Sequence, residues 1–251
     1  MRTRKWLESA ALLLLGIYLL ETRLSGEISY YIAAQFFWLP IMAGIILIAI
    51  GVAQVSYLLG SAGQSSTNPD LLLARSPHTQ GVTWLSLILV CVPLVLGVVL
   101  PAKPLGASAV GTSGIATSLN SLNPTGSTGT FSLAPENRNV LDWVRAFSAA
   151  ATPDEFTGQP ADLIGFVYRD VRFNDQNQFM VARFAVSCCT ADALAIGVIV
   201  EMPDSAKYKQ DGWVRVRGKF QVREFDSHQT PVLIAESIEE TAMPERPYLY
   251  P

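Results

Sequence analysis

The chain is poor in the residues that carry most enzyme chemistry. Of its 251 residues, three are cysteine and two are histidine. Three cysteines are too few for a disulfide framework. With histidine confined to His78 and His228, no Ser/His/Asp set is legible, and there is no phosphate loop or dinucleotide fingerprint. The expectation is a protein that is not an enzyme, with no catalytic and no organic-cofactor residues. Strong charge is also missing. A net charge of −3 gives no basic footprint for nucleic acid.

What is abundant is apolar surface. Half the residues are hydrophobic, and the mean hydropathy is +0.30. The excess lies in the first hundred residues, while the last hundred read as an ordinary globular domain. A membrane part and a soluble part are therefore expected. Three apolar runs stand out: Trp6 to Leu20, Phe36 to Leu59 and Val82 to Leu100. The first is short for a span, which needs roughly 17–25 residues. The second is the clearest, with Phe37, Trp38 and Tyr57 at its ends as interfacial aromatics. The third carries Pro93, tolerable where neighbouring helices satisfy the freed carbonyl. Arg2, Arg4 and Lys5 before the first run also fit a signal peptide, but "LLETRLSGE" offers no small-x-small cleavage site. With that run retained, the expectation is a multi-pass plasma-membrane protein. Its basic N-terminus is then cytoplasmic, and three spans put the C-terminal part outside the cytoplasm. Cleavage would reverse the second of these, so the fate of the first run decides the compartment.

Four regions follow. Residues 1–104 form a membrane domain with about three transmembrane helices. Residues 105–136, rich in Gly, Ser and Thr and almost free of charge, read as a flexible linker. Residues 137–160 hold an amphipathic helix from Val140 to Ala149, opened by Asn139 and Asp142 in a capping pattern, and a connector. Two positions remain open for that helix: packed on the soluble domain, or lying on the membrane or a partner.

Residues 161–251 change to period two. Five strands are expected: "DLIGFVYRD", "QFMVARFAVSC", "AIGVIVEM", "GWVRVRGKFQVRE" and "PVLIAESIEE". A polar stretch between the third and fourth allows one helical turn. That order points to a small OB-like five-stranded barrel, with Gly218 permitting a bend in the fourth strand. The fold class is therefore an α-helical membrane part followed by an all-β soluble domain. An OB-type barrel raises the thought of nucleic acid, and the charge weighs against it. From Ala161 to Pro251 there are thirteen Asp/Glu against ten Lys/Arg. Arg215, Arg217 and Lys219 share one strand face, but no aromatic platform alternates with them.

Cys91 lies inside an apolar run, as a core or lipid-facing residue. Chemistry is left to "FAVSCCTADA", Phe184 to Ala193. Strand alternation puts Met180, Ala182, Phe184, Val186 and Cys188 on one face, taken as inward. Phe179, Val181, Arg183, Ala185, Ser187 and Cys189 fall on the other. If the strand runs through the pair, Cys188 is core and Cys189 alone is available. If it ends first, Cys188, Cys189 and Asp192 can converge as ligands of a soft or transition metal ion. A structural pair, a metal contact and a redox switch all remain open.

Seven segments together resemble the YcgQ-like bacterial membrane proteins, in a cyanobacterial-type form. They are "GEISYYI" (26–32), "PAKPLG" (101–106), "NRNVLDWVRAF" (137–147), "GQPADLIGFVYRD" (158–170), "ARFAVSCCTADA" (182–193), "WVRVRGKF" (213–220) and "PERPYLYP" (244–251). Members are described as subunits of two-component permeases. The resemblance implies a multi-span permease partner, retention of the first apolar run, and a family motif at Cys188 to Ala193. The functional expectation is an accessory permease subunit whose extracytoplasmic barrel gates the pore or presents a ligand. The alternative is a membrane-tethered protein that handles metal or thiol redox through Cys188 and Cys189.

Overall fold

In the computed structural model, residues 2–60, 84–111, 115–117, 133–169, 173, 177–225 and 227–250 are described. The chain divides into two units. One comprises Met1–Ser29 with Ala34–Lys103, the other Tyr30–Ala33 with Pro104–Pro251.

The first unit is helical: α1 (Arg2–Leu24), α2 (Trp38–Gly60) and α3 (Trp84–Val99). The apolar runs locate all three, but α1 extends about a turn beyond its run at each end. Charged residues are good helix formers, so the helix does not stop where hydrophobicity does. α1 and α2 pack antiparallel. Ser9 Oγ donates to Gln54 Oε1 at 3.1 Å, Leu13 lies on Gly51, and Gly16 lies on Gly44 and Ile48. A Cβ at Gly16 would fall 2.7 Å from Ile48 Cγ1 and 2.9 Å from the Gly44 carbonyl. Glycine lets these two backbones approach, as small residues do between membrane helices. Among the described residues, one stretch, Ala34–Gly60, is helical, long and apolar enough to cross a membrane. The described part of α3 has 16 residues, about 24 Å at 1.5 Å per residue.

In the second unit α4 (Val140–Ala149) has the expected bounds. The Asn139 side chain accepts the Leu141 and Asp142 amides at 2.8 and 3.2 Å, and Asp142 accepts the Asn139 amide at 3.0 Å. This reciprocal cap satisfies amides that the first turn leaves unpaired. Of the two positions open to α4, the structure takes the first. Val140, Trp143 and Val144 are fully buried against the strands.

The strands are β1 (Pro160–Tyr168), β2 (Gln178–Ala185), β3 (Leu194–Glu201), β4 (Trp213–Phe225), β5 (His228–Glu240) and β6 (Tyr248–Leu249). β1 pairs antiparallel with both β4 and β2, β4 with β5, and β2 with β3, while β3 and β5 run parallel. The five pairings close a ring. β6, which the pattern did not reveal, adds to β2 in parallel. A short 3-10 turn, Ser205–Lys207, stands between β3 and β4 as expected. The β4–β5 register shifts at Arg217/Gly218, and a Cβ at Gly218 would run into the Ile234 carbonyl. Gly218 is thus the bend that its place in the strand predicted.

Two expectations are corrected here. β2 has no outward face. Phe179, Val181 and Ala185 pack with Trp143, Val144, Val198 and Phe220, and Met180, Ala182, Phe184 and Val186 pack with Ala107, Ile115 and Tyr248. A strand covered on both sides carries apolar residues on both faces, so alternation cannot tell in from out. The beginning of the Gly/Ser stretch is not a free linker either. Ala107 and Ile115 are buried, and Ala116 pairs with β3: its amide donates to Ala195 O (3.0 Å), and its carbonyl accepts the Gly197 amide (3.1 Å). A backbone ladder needs no large side chains, which is why composition missed it. Residues 118–132 of the expected linker lie outside the described residues.

Candidate functional site

β2 ends at Ala185, three residues before the cysteine pair. Asp192 accounts for the break. Its Oδ1 accepts the Ser187 amide at 2.9 Å and its Oδ2 the Cys188 amide at 2.7 Å. A carboxylate holding two successive amides removes both from any ladder and turns the chain. A 3-10 turn, Thr190–Asp192, follows. The two cysteines therefore escape strand alternation, and their sulfurs lie 3.6 Å apart. Cys188 is exposed and Cys189 is half-buried; both are free thiols. Of the two outcomes that the sequence left open, the strand ends first and Cys188 is not core.

The electrostatics follow from this turn. Partial burial works against ionisation of Asp192, but the Cys188 thiol and the amides of Cys188, Ser187 and Cys189 outweigh it and hold the pKa below the ordinary value. The hydrogen bond to that carboxylate, then the Cys189 thiol, push Cys188 up to about 11. At neutral pH Cys188 is a thiol, which does not suit a nucleophilic cysteine.

A segment from the far end of the sequence backs the turn. Ile32 forms an isolated antiparallel bridge with Cys189. The Ala33 amide donates to Cys188 O, and the Thr190 amide to Tyr31 O, both at 2.9 Å. The buried Tyr248 hydroxyl ties in two further segments, donating to Tyr30 O at 3.1 Å and accepting the Leu105 amide at 2.8 Å. Val186 donates to Leu249 O at 2.9 Å. Four of the segments that carried the resemblance, at 26–32, 101–106, 182–193 and 244–251, thus contribute residues to one place. Nothing in their spacing foretold that they would meet.

Arg183 also went unrecognised. The sequence placed it on an outward strand face, yet it is 7% exposed. Its Nε donates to Pro247 O (2.9 Å), Nη1 to Ile164 O (3.2 Å) and Nη2 to Arg246 O (2.9 Å), and it lies 5.1 Å from the centre of the Trp213 ring. Burial lowers its pKa to about 10, leaving it charged at neutral pH. Arg183 fastens the segment that leads into β6. A lone charge in an apolar run was the available signal.

Of the expected metal ligands, the structure brings Cys188, Cys189 and Asp192 together, with the Asp192 oxygens directed at amides. Among the described residues, no group of three His, Cys, Asp or Glu side chains is disposed to hold a metal ion. His228 begins β5 opposite Phe225, and His78 lies outside the described residues. The basic stripe of β4 is matched by carboxylates. Arg215 holds Asp162 through two bonds (2.7 and 2.6 Å), and Arg217 bonds Asp162 (3.1 Å) and Glu239 (2.9 Å).

Comparison with known proteins agrees with the resemblance along nearly the whole chain. Residues 7–116 match the DUF1980 N-terminal domain and residues 127–251 the DUF1980 C-terminal domain. A Streptococcus mutans protein named as a subunit of a two-component membrane permease complex is 24% identical, over 94% of each chain. The UPF0703 protein YcgQ of Bacillus subtilis is 30% identical over 100 residues, 39% of this chain and 35% of that one. Among solved structures, a small single-stranded DNA-binding protein from Streptomyces coelicolor aligns with a TM-score of 0.23 at 17% identity, over 34% of this chain and 93% of that one, a likeness too slight to carry an argument. With both paired domains present in order, the chain belongs to the DUF1980, YcgQ-like family.

Proposed function

We propose that this protein is a non-catalytic accessory subunit of a membrane permease complex, and that its β-domain works outside the cytoplasm to gate the pore or present a ligand. The observation that carries the reading is the end-to-end likeness to the Streptococcus mutans protein named as such a subunit: 94% of each chain is covered, helices and β-domain alike. The length and composition of Ala34–Gly60 support a membrane location.

Chain order supports the orientation. Tyr30–Ala33 lies between α1 and α2 yet is built into the β-domain's unit. Residues 25–37 form the joint between α1 and α2. Arg2, Arg4 and Lys5 favour a cytoplasmic start for α1, so a spanning α1 puts that joint outside. α3, as a third span, returns the chain to the same side. The ring order β1-β4-β5-β3-β2 supports an OB-like barrel as the presenting module. The carboxylate pairing of Arg215 and Arg217 leaves little free charge for a phosphate backbone.

Extraction of the tagged full chain in mild detergent tests the partner. A multi-span membrane protein should co-purify in fixed ratio, and recovery of the chain alone would overturn the reading. Labelling of intact cells with a membrane-impermeant thiol reagent tests the side. The Cys188–Cys189 turn, with Cys188 exposed and Cys189 half-buried, should label without lysis; labelling that requires lysis would place the domain in the cytoplasm.

A further inference from the structure

The family match and the permease reading leave the two thiols without a task. Free cysteine is among the most buried residue types, yet Cys188 is exposed and Cys189 half-buried. The backbone around them is fixed from both sides. Asp192 holds the Ser187 and Cys188 amides, Ala33 holds the Cys188 carbonyl, Tyr31 holds the Thr190 amide, and Ile32 bridges Cys189. The turn is preorganised and presents two sulfurs side by side.

The geometry disfavours a disulfide. Successive Cα atoms across a trans peptide are about 3.8 Å apart, and no cis peptide occurs among the described residues. Disulfides ordinarily join Cα atoms about 4.4–6.8 Å apart. The same sulfurs do suit a shared ion. With metal–sulfur bonds of about 2.3 Å, a sulfur separation of 3.6 Å subtends about 103° at the ion, near the tetrahedral angle of about 109°. A linear two-coordinate ion with bonds of that length would need about 4.6 Å.

We propose that Cys188 and Cys189 form an open two-sulfur site for a thiophilic divalent cation of tetrahedral preference, zinc in class. Both thiols bind as thiolates, their two protons pass to solvent, and no electrons are transferred. Two coordination positions stay open to water or to a group brought by another molecule. That distinguishes the site from a closed structural centre, which takes four protein ligands. Asp192 is a positioning residue here, since its oxygens hold the turn. The proposal stands whether or not the chain serves a permease.

The test uses the full-length protein in detergent, reduced and freed of metal, titrated with cadmium as a spectroscopic stand-in for zinc. Thiolate-to-cadmium charge-transfer absorption should saturate at one ion per chain and be reversed by zinc. Second-shell substitutions already cost about 10–100-fold in metal affinity, so Cys188→Ser and Cys189→Ser should each cost at least as much. Cys91→Ser should change nothing. In the unaltered protein, zinc should also protect both thiols from alkylation, a readout that needs no variant to fold. Absence of the band, its survival in both single variants, its loss in Cys91→Ser, or alkylation unaffected by zinc would each overturn the proposal.

Discussion

Tyr248, the first residue of β6, gives its hydroxyl to the Tyr30 carbonyl and takes the amide of Leu105. One phenol thus joins the connection between α1 and α2, the segment after α3, and β6. The cysteine turn sits in the middle of this knot, because Ile32 pairs with Cys189 and Leu249 with Val186.

Removing that hydroxyl tests the knot with little change of shape. Tyr248→Phe leaves the Leu105 amide and the Tyr30 carbonyl without this partner. A lost hydrogen bond with groups left unpaired costs about 1–2 kcal/mol, or roughly tenfold in a local opening equilibrium. Hydrogen exchange should therefore speed up about tenfold at Leu105, Ala33 and Thr190 and stay unchanged in α4. Unchanged exchange at Leu105 would show that the hydroxyl bonds are not what holds the segment.

Asp192 should govern the reactivity of Cys188. The carboxylate raises the thiol's pKa, so it suppresses the thiolate at every pH below about 11. In Asp192→Asn the charge is gone, the thiol titrates lower, and the thiolate fraction at pH 8 rises. Alkylation of Cys188 at pH 8 should quicken on the order of tenfold, and the pH–rate profile should move to lower pH. A profile that stays in place would mean that the carboxylate does not set this pKa.

How much of this was legible depended on which interactions the fold uses. The helices, α4 with its Asn139–Asp142 cap, five of the six strands and the Gly218 bend are written in local pattern and local chemistry, so the sequence displayed them. The cysteine turn was half legible: alternation posed the question, but the answer lay in two hydrogen bonds from Asp192 that no spacing rule specifies. The bridge from Ile32 and the docking of Ala107 to Ala116 were invisible. They are backbone pairings between distant segments, and backbone groups are the same in every residue but proline. Arg183 was misplaced for a related reason, since its partners are carbonyls and no carboxylate in the sequence advertised them.

The β4 stripe gives a pH-dependent prediction. The hydrogen bond from Arg215 is the largest influence on Asp162. With Arg217 it overcomes partial burial and holds the carboxylate below its ordinary pKa. A depressed folded-state pKa contributes stability that is present above the unfolded value, about 3.9, and is lost as pH falls through the folded value. Melting temperature should therefore drop as pH falls below about 4, and Asp162→Asn should flatten that acid limb. At pH 7 the variant should melt slightly lower than the unaltered protein, since both arginines lose a charged partner. Because exposed ion pairs are weak and screened by salt, the gap at pH 7 should narrow in high salt. A gap indifferent to salt would mean that the loss arises from packing.

Arg183 offers the sharpest separation between shape and hydrogen bonding. Arg183→Met keeps an unbranched apolar stem beside Trp213 but removes all three donors, so the carbonyls of Ile164, Arg246 and Pro247 lose their partner together. Hydrogen bonds to a charged group are worth about 1.5–3 kcal/mol each. Some of that is recovered, because a buried guanidinium no longer has to be desolvated and the freed carbonyls near the chain end can reach water. A net loss on the order of 3 kcal/mol is expected, read by denaturant unfolding of the full chain. Its location is the stronger check. Arg246 and Pro247 should become the first site of limited proteolysis, and β6 should release from β2 while the pairings of β4 with β5 persist. Arg183→Lys should behave like Arg183→Met in proteolysis, because a single ammonium cannot span three carbonyls held by a planar fork. Full protection in the lysine variant would show that charge alone, not the geometry of the guanidinium, fixes the C-terminal segment.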